Sequence, residues 1–148
     1  MQHLKTLPRI TSLGLLLASL VFLAPISWAA TVNHTGGITT YSANYKNSSL
    51  NISGGQATFT GKLKNNNVVN VTGGTAIFSG DLKNNTVFNV SGGAIEINSL
   101  KNNATFNVSG GDFSLNEPIG NNANLSISGG NLNLNDDDIF APDTDFTM

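Results

Sequence analysis

Four lysines, Lys46, Lys64, Lys83 and Lys101, recur at a near-constant spacing of about 19 residues. Ammonium groups repeated at one place in successive coils form a row, and such a row can track an anionic polymer such as a surface polysaccharide. The same row, splayed into water on flexible stems, only keeps an edge soluble. Spacing alone does not choose between the two. Few other residues have types suited to chemistry. His34 is the only histidine after His3, so a Ser-His-Asp arrangement would depend on it alone; it is expected at the surface of a terminal cap. Glu96 and Glu117 fall on different parts of successive repeats, whereas glycosidases need two carboxyl groups flanking one bond. Aspartates gather at Asp136-Asp137-Asp138, and Asp112 follows a glycine pair. Calcium-binding coils, however, need aspartate at a fixed place in every turn, and here the residues after the pairs are Gln56, Thr75, Ala94, Asp112 and Asn131. No catalytic, metal-ligating or cofactor-binding residue is assigned, and an enzyme is not expected.

The first thirty residues differ in kind from the rest. His3, Lys5 and Arg9 make a basic start, Leu13 to Pro25 is nearly all apolar, and Ser27-Trp28-Ala29 puts small residues where a processing site needs them. Residues 1–29 are therefore expected to be a signal peptide; the apolar run is shorter than the ~20 residues a membrane span requires. No membrane span is expected in the mature chain. Residues 30–148 then carry five lysines against nine carboxylates, a net charge of about −4, while the only arginine and the only tryptophan lie in the leader. Nucleic-acid binding is disfavoured, because phosphate recognition draws on a basic surface and forked arginine donors. With no cysteine in the chain, neither a disulfide framework nor a thiolate metal site exists.

The elements that position these residues follow from a repeat. Glycine pairs fall at 36–37, 54–55, 73–74, 92–93, 110–111 and 129–130, a period of about 19 residues. Before each pair from the second onward, two apolar residues flank one polar one: Leu50 and Ile52, Val69 and Val71, Phe88 and Val90, Phe106 and Val108, Leu125 and Ile127. After it the alternation resumes through Ala57 and Phe59, Ala76 and Phe78, Ile95 and Ile97, Phe113 and Leu115, Leu132 and Leu134. Period two means strand. A third apolar point follows at Leu63, Leu82, Leu100 and Ile119. No single repeat can bury its apolar side, but parallel in-register coils rising about 4.8 Å each can. The expected fold is all-β, a single-stranded β-solenoid (β-helix) of about five to six coils with repeats of ~19 residues. Residues 30–48, with Tyr41 and Tyr45, read as a diverged N-terminal capping repeat. Residues 49–135 carry the solenoid repeats, and 136–148 an acidic C-terminal cap or tail in which Ile139 and Phe140 are placed to fold over the last coil.

Polar columns agree with stacking. Asn51, Asn70, Asn89 and Asn107 sit between the inward residues of the first strand, with Ser126 closing the series, and stacked amides hydrogen-bond along the axis. Paired asparagines at 65–66, 84–85, 102–103 and 121–122 mark a corner where left-handed backbone is tolerated. The N-x-Ser/Thr sequons at Asn33, Asn51, Asn70, Asn89 and Asn107 resemble glycosylation acceptors, but glycans one strand apart would collide, and the amide row accounts for them. The uniform ranks of asparagine and serine or threonine on this strand also suit an ice-binding face.

The phrase LNISGGQATFTG, repeated as VNVTGGTAIFSG and FNVSGGAIEIN, resembles the coils of haemagglutinin and autotransporter-type adhesin passengers, over residues 49–135. In overall plan, with a signal peptide, a short regular repeat, asparagine ladders and few charges, the chain is also similar to curli-type fibre subunits. Those carry a glutamine and an asparagine at set places around each corner, where this chain has serine or threonine before the glycines. Both resemblances imply a bacterial protein, secreted or at the cell surface. It would be non-enzymatic, structural or adhesive, acting in an extracellular matrix or biofilm. Separately, the coil ends, around Thr31 to Ser48 and near Asn135, are expected to be open, with unpaired backbone groups that template another copy end to end into a fibre.

Overall fold

A computed structural model describes residues 27–83, 85–98, 100–101, 103–117, 122–134 and 145–147. All its regular elements are strands. They are β1 (Ser27–Trp28), β2 (Thr31–His34), β3 (Ile38–Tyr41), β4 (Tyr45–Lys46), β5 (Ser49–Ile52), β6 (Gln56–Phe59), β7 (Leu63–Lys64), β8 (Val68–Val71) and β9 (Thr75–Phe78). There follow β10 (Leu82–Lys83), β11 (Val87–Val90), β12 (Ala94–Ile97), β13 (Leu100–Lys101), β14 (Thr105–Val108), β15 (Asp112–Leu115), β16 (Asn124–Ile127), β17 (Asn131–Leu134) and β18 (Asp145–Thr147). Among the described residues no helix is long and apolar enough to cross a membrane.

The strands form three parallel sheets. A first long sheet runs β18-β16-β14-β11-β8-β5-β2, a second long sheet β17-β15-β12-β9-β6-β3, and a short sheet β1-β4-β7-β10-β13. The chain visits the first, second and short sheets in turn, so each circuit is one coil. Each strand pairs with its equivalent one repeat away, as Asn51 with Asn70 and Phe59 with Phe78. The protein is a β-solenoid.

Two of its corners use different backbone chemistry. Between the long strands, the second glycine of each pair adopts positive φ; at Gly74, φ is 72° and an added Cβ would lie 2.6 Å from the Gly55 carbonyl oxygen. Only glycine fits both the conformation and the space. Before β5, β8, β11, β14 and β16, Asn47, Asn65, Asn66, Asn85, Asn103 and Asn122 hold φ between 47° and 62°, the left-handed region asparagine enters more readily than other side chains. Asn84, Asn102 and Asn121 lie outside the described residues.

The core is a continuous column of the expected inward residues. Leu50, Val69, Phe88, Phe106 and Leu125 from the first sheet meet Phe59, Phe78, Ile97 and Leu115 from the second, closed by Leu63, Leu82 and Leu100 from the short sheet. Burial of each such side chain contributes about 1.5–3 kcal/mol. Ile127, Leu132 and Leu134 of the last coil are only partly buried. Ile119 lies outside the described residues.

Both ends differ from the expectation of bare coil edges. Ser27–Trp28, read in the sequence as the end of the leader, pairs with Tyr45–Lys46 and extends the short sheet. At the other end Asp145–Thr147 pairs with Asn124–Ser126, so the tail supplies a seventh strand to the first sheet. Residues 1–26 of the expected leader, and Asp136–Asp138, Ile139 and Phe140, lie outside the described residues.

Candidate functional site

Each sheet presents a chemically distinct outer face. On the short sheet the lysine register is direct: Lys46 pairs with Lys64, Lys64 with Lys83, and Lys83 with Lys101. Lys46, Lys64 and Lys83 each follow an inward residue, Tyr45, Leu63 or Leu82, and the pleat therefore turns these lysine positions outward. Point charges one strand spacing apart, about 4.8 Å, repel by about 0.9 kcal/mol per pair in water before salt screening. Sequence reasoning passed over Lys62 and Asp81, which join this face. The Asp81 carboxylate lies 3.3 Å from the Lys62 ammonium and 3.8 Å from that of Lys83.

On the first long sheet the amides form an unbroken row. Nδ2 of Asn107 donates to Oδ1 of Asn89 at 2.9 Å, Asn89 to Asn70 at 2.9 Å, Asn70 to Asn51 at 2.8 Å and Asn51 to Asn33 at 2.9 Å. All four bonds point the same way, so the row has a direction along the rod. Beside it Ser53, Thr72, Ser91, Ser109 and Ser128 form an exposed hydroxyl rank. An open groove of about 250 Å³ lies against Asn89, Ser91, Asn107, Ser109, Ser126 and Ser128. The second long sheet is mixed: Thr58, Ile77, Glu96, Ser114 and Asn133 share one outward column. Asn116 donates to Glu96 at 2.9 Å and to Asn98 at 2.8 Å.

His34 is not on the surface as expected. It is 3% exposed, because its register partner is the inward Ile52 and the pleat carries both to the interior. Its Nδ1 lies 3.2 Å from the Tyr41 hydroxyl, and Nε2 has no partner among the described residues. Tyr41 in turn stacks on Phe59 at 4.9 Å, and Tyr45 meets Phe59 edge-on. Burial pushes both phenols above the usual tyrosine range; a hydrogen bond to Thr39 offsets part of this at Tyr41, and the proximity of Tyr41 adds to it at Tyr45. Among the described residues no three histidine or acidic side chains gather into a metal-binding group.

One polar column escaped the sequence reading. Ser48, Asn67 and Thr86, each just before a first-sheet strand, are buried, and Ala104 and Ala123 continue the column. Asn67, fully buried, accepts from the Ser48 backbone N–H at 3.0 Å and donates to the carbonyls of Lys64 and Tyr45. It holds the corner between the short and first sheets. Of the run Asn65-Asn66-Asn67 the sequence marks only the first two as a corner, and the third asparagine, Asn67, was the only signal of the buried column.

The chain matches no protein-family model, no curated protein and no solved structure.

Proposed function

We propose that this chain is a secreted, non-enzymatic structural or adhesive β-solenoid of the cell surface or extracellular matrix that stacks end to end. The observation supporting it most is that every coil joins the next by the same parallel, in-register pairing, with the amide row pointing one way throughout. A second copy laid head to tail repeats that interface without new chemistry, since strand edges template further strands. Secretion is supported by the basic and apolar leader. Cleavage after Ala29 removes β1 and leaves β2, β3 and β4 as three uncovered edges at one end, so assembly belongs to the exported form. The likeness of residues 49–135 to adhesin passengers and the curli-like plan fit the same class.

The test is to express the chain with its leader, purify the exported form and follow it by sedimentation velocity and thioflavin fluorescence over a concentration series. Concentration-dependent growth into elongated particles is expected. A strictly monomeric rod at high concentration removes the stacking component.

A further inference from the structure

Charge is segregated among the three faces. All five lysines of residues 30–148 lie in or directly beside short-sheet strands: Lys46, Lys64, Lys83 and Lys101 within them, and Lys62 just before β7. Among the described residues the one carboxylate beside this sheet is Asp81; Glu96 and Asp112 belong to the second sheet, Glu117 follows it, and Asp145 lies on β18. A chain whose residues 30–148 carry a net charge of about −4 thus keeps one cationic strip along the stacking axis, bounded by neutral and acidic faces. We propose that this strip is a docking surface for a linear polysaccharide bearing carboxylates, laid along the axis in register with the coils.

The chemistry selects that occupant over other polyanions. Lysine is a point charge that pairs with isolated carboxylates, whereas phosphate backbones are read by forked arginines and stacked aromatics. Residues 30–148 contain no arginine, and the short sheet's tyrosine, Tyr45, is buried. An anionic membrane would be met by lysines together with apolar residues that insert. Among the described residues the exposed large apolar side chains, Ile38 and Val68, sit on the second and first sheets instead. An extended sugar chain presents charge at a regular rise, as the coils do, and its carboxylates relieve the repulsion between successive lysines. This inference does not rest on stacking, and a monomeric rod would carry the same strip.

The test measures retention of the purified protein on immobilised polygalacturonate, with neutral dextran, anionic phospholipid vesicles and single-stranded DNA in parallel. Salt-reversible binding to polygalacturonate above all three comparators is expected. Lys64→Gln, Lys83→Gln and Lys101→Gln combined should weaken it about tenfold, the sum of three weak ion pairs. Asp81→Asn, which removes the strip's carboxylate, should tighten it about twofold, a gain that misfolding would not produce. Absent binding, unchanged affinity in the triple variant, no gain in Asp81→Asn, or preference for vesicles or DNA would each overturn the proposal.

Discussion

Phe59 lies over Phe78 with ring centroids 4.8 Å apart and planes 7° from parallel. The stack begins at Tyr41, crosses from the second sheet to the first through an edge-on contact of Phe78 with Phe88, and continues to Phe106 and Phe113. Where the second sheet carries phenylalanine at Phe59 and Phe78, its adjacent inward positions are the small Ala57 and Ala76. Neither alanine is long enough to fill a hole there. Phe59→Ala is therefore expected to cost about 3–5 kcal/mol, and Phe59→Leu clearly less, by denaturant unfolding followed by circular dichroism.

The corner glycines make a sharper contrast. Gly74→Ala forces a side chain into positive φ and against the Gly54 and Gly55 backbone, a combination expected to cost more than about 3 kcal/mol. Gly36, the first glycine of the first pair, has open space around its missing Cβ and no positive φ. Gly36→Ala should leave the melting temperature nearly unchanged.

That contrast marks how far the sequence carries the fold. Alternation is a local property, so Leu50, Ile52, Ala57 and Phe59 could be assigned inward one by one, and the constant period then placed Lys46, Lys64 and Lys83 in one row. What local pattern cannot reveal is what lies one coil away. His34 looked exposed because a histidine in an irregular repeat has no apolar context in sequence; its burial comes from standing beside Ile52. Asn67 was given no role because its partners, Ser48 and Tyr45, are 19 and 22 residues distant. The pairing of Asp145–Thr147 with the first sheet was equally hidden, since three residues carry no period.

Two asparagines separate the surface amide row from the buried corner. Asn70→Ala removes one bond to Asn51 and one from Asn89 on a partly solvated face, where water replaces them, and should cost about 1–2 kcal/mol. Asn67→Ala leaves the buried Ser48 N–H without its acceptor and removes the side-chain donor to the Tyr45 and Lys64 carbonyls. It should cost about 2–4 kcal/mol. The order of the two melting temperatures, Asn67→Ala below Asn70→Ala, is the measurement; the reverse order would mean the corner is wet.

The two tyrosines of the chain both lie in the first coil, so phenolate absorbance reports that coil alone. Burial raises both above the ordinary value of 10.0, and each ionises less readily folded than unfolded. Their contribution to stability is fully present below pH ~10 and is lost as the pH rises through the folded values. The first coil should therefore loosen in alkali, with both phenols titrating late. Phe substitutions at Tyr41 and Tyr45 should remove this loss.

The tail strand bears on assembly. Asp145–Thr147 covers the edge of β16 that would otherwise face an incoming copy, pairing Leu125 with Phe146. An exposed strand edge is a template for further pairing, and natural sheets blunt such edges with short strands and charge. Asp145 supplies the charge, and a three-residue strand supplies the shortness. Deleting residues 135–148 uncovers β16 beside β17, so that two long-sheet edges at this end become continuous. If the rods stack head to tail, the truncated protein should sediment faster than the full chain at equal concentration and lose solubility sooner. If the tail strand is instead the seat on which the next copy docks, truncation should abolish the larger species while the monomer keeps its circular dichroism spectrum. The direction of the change in sedimentation thus identifies which strand of the first sheet meets the neighbour.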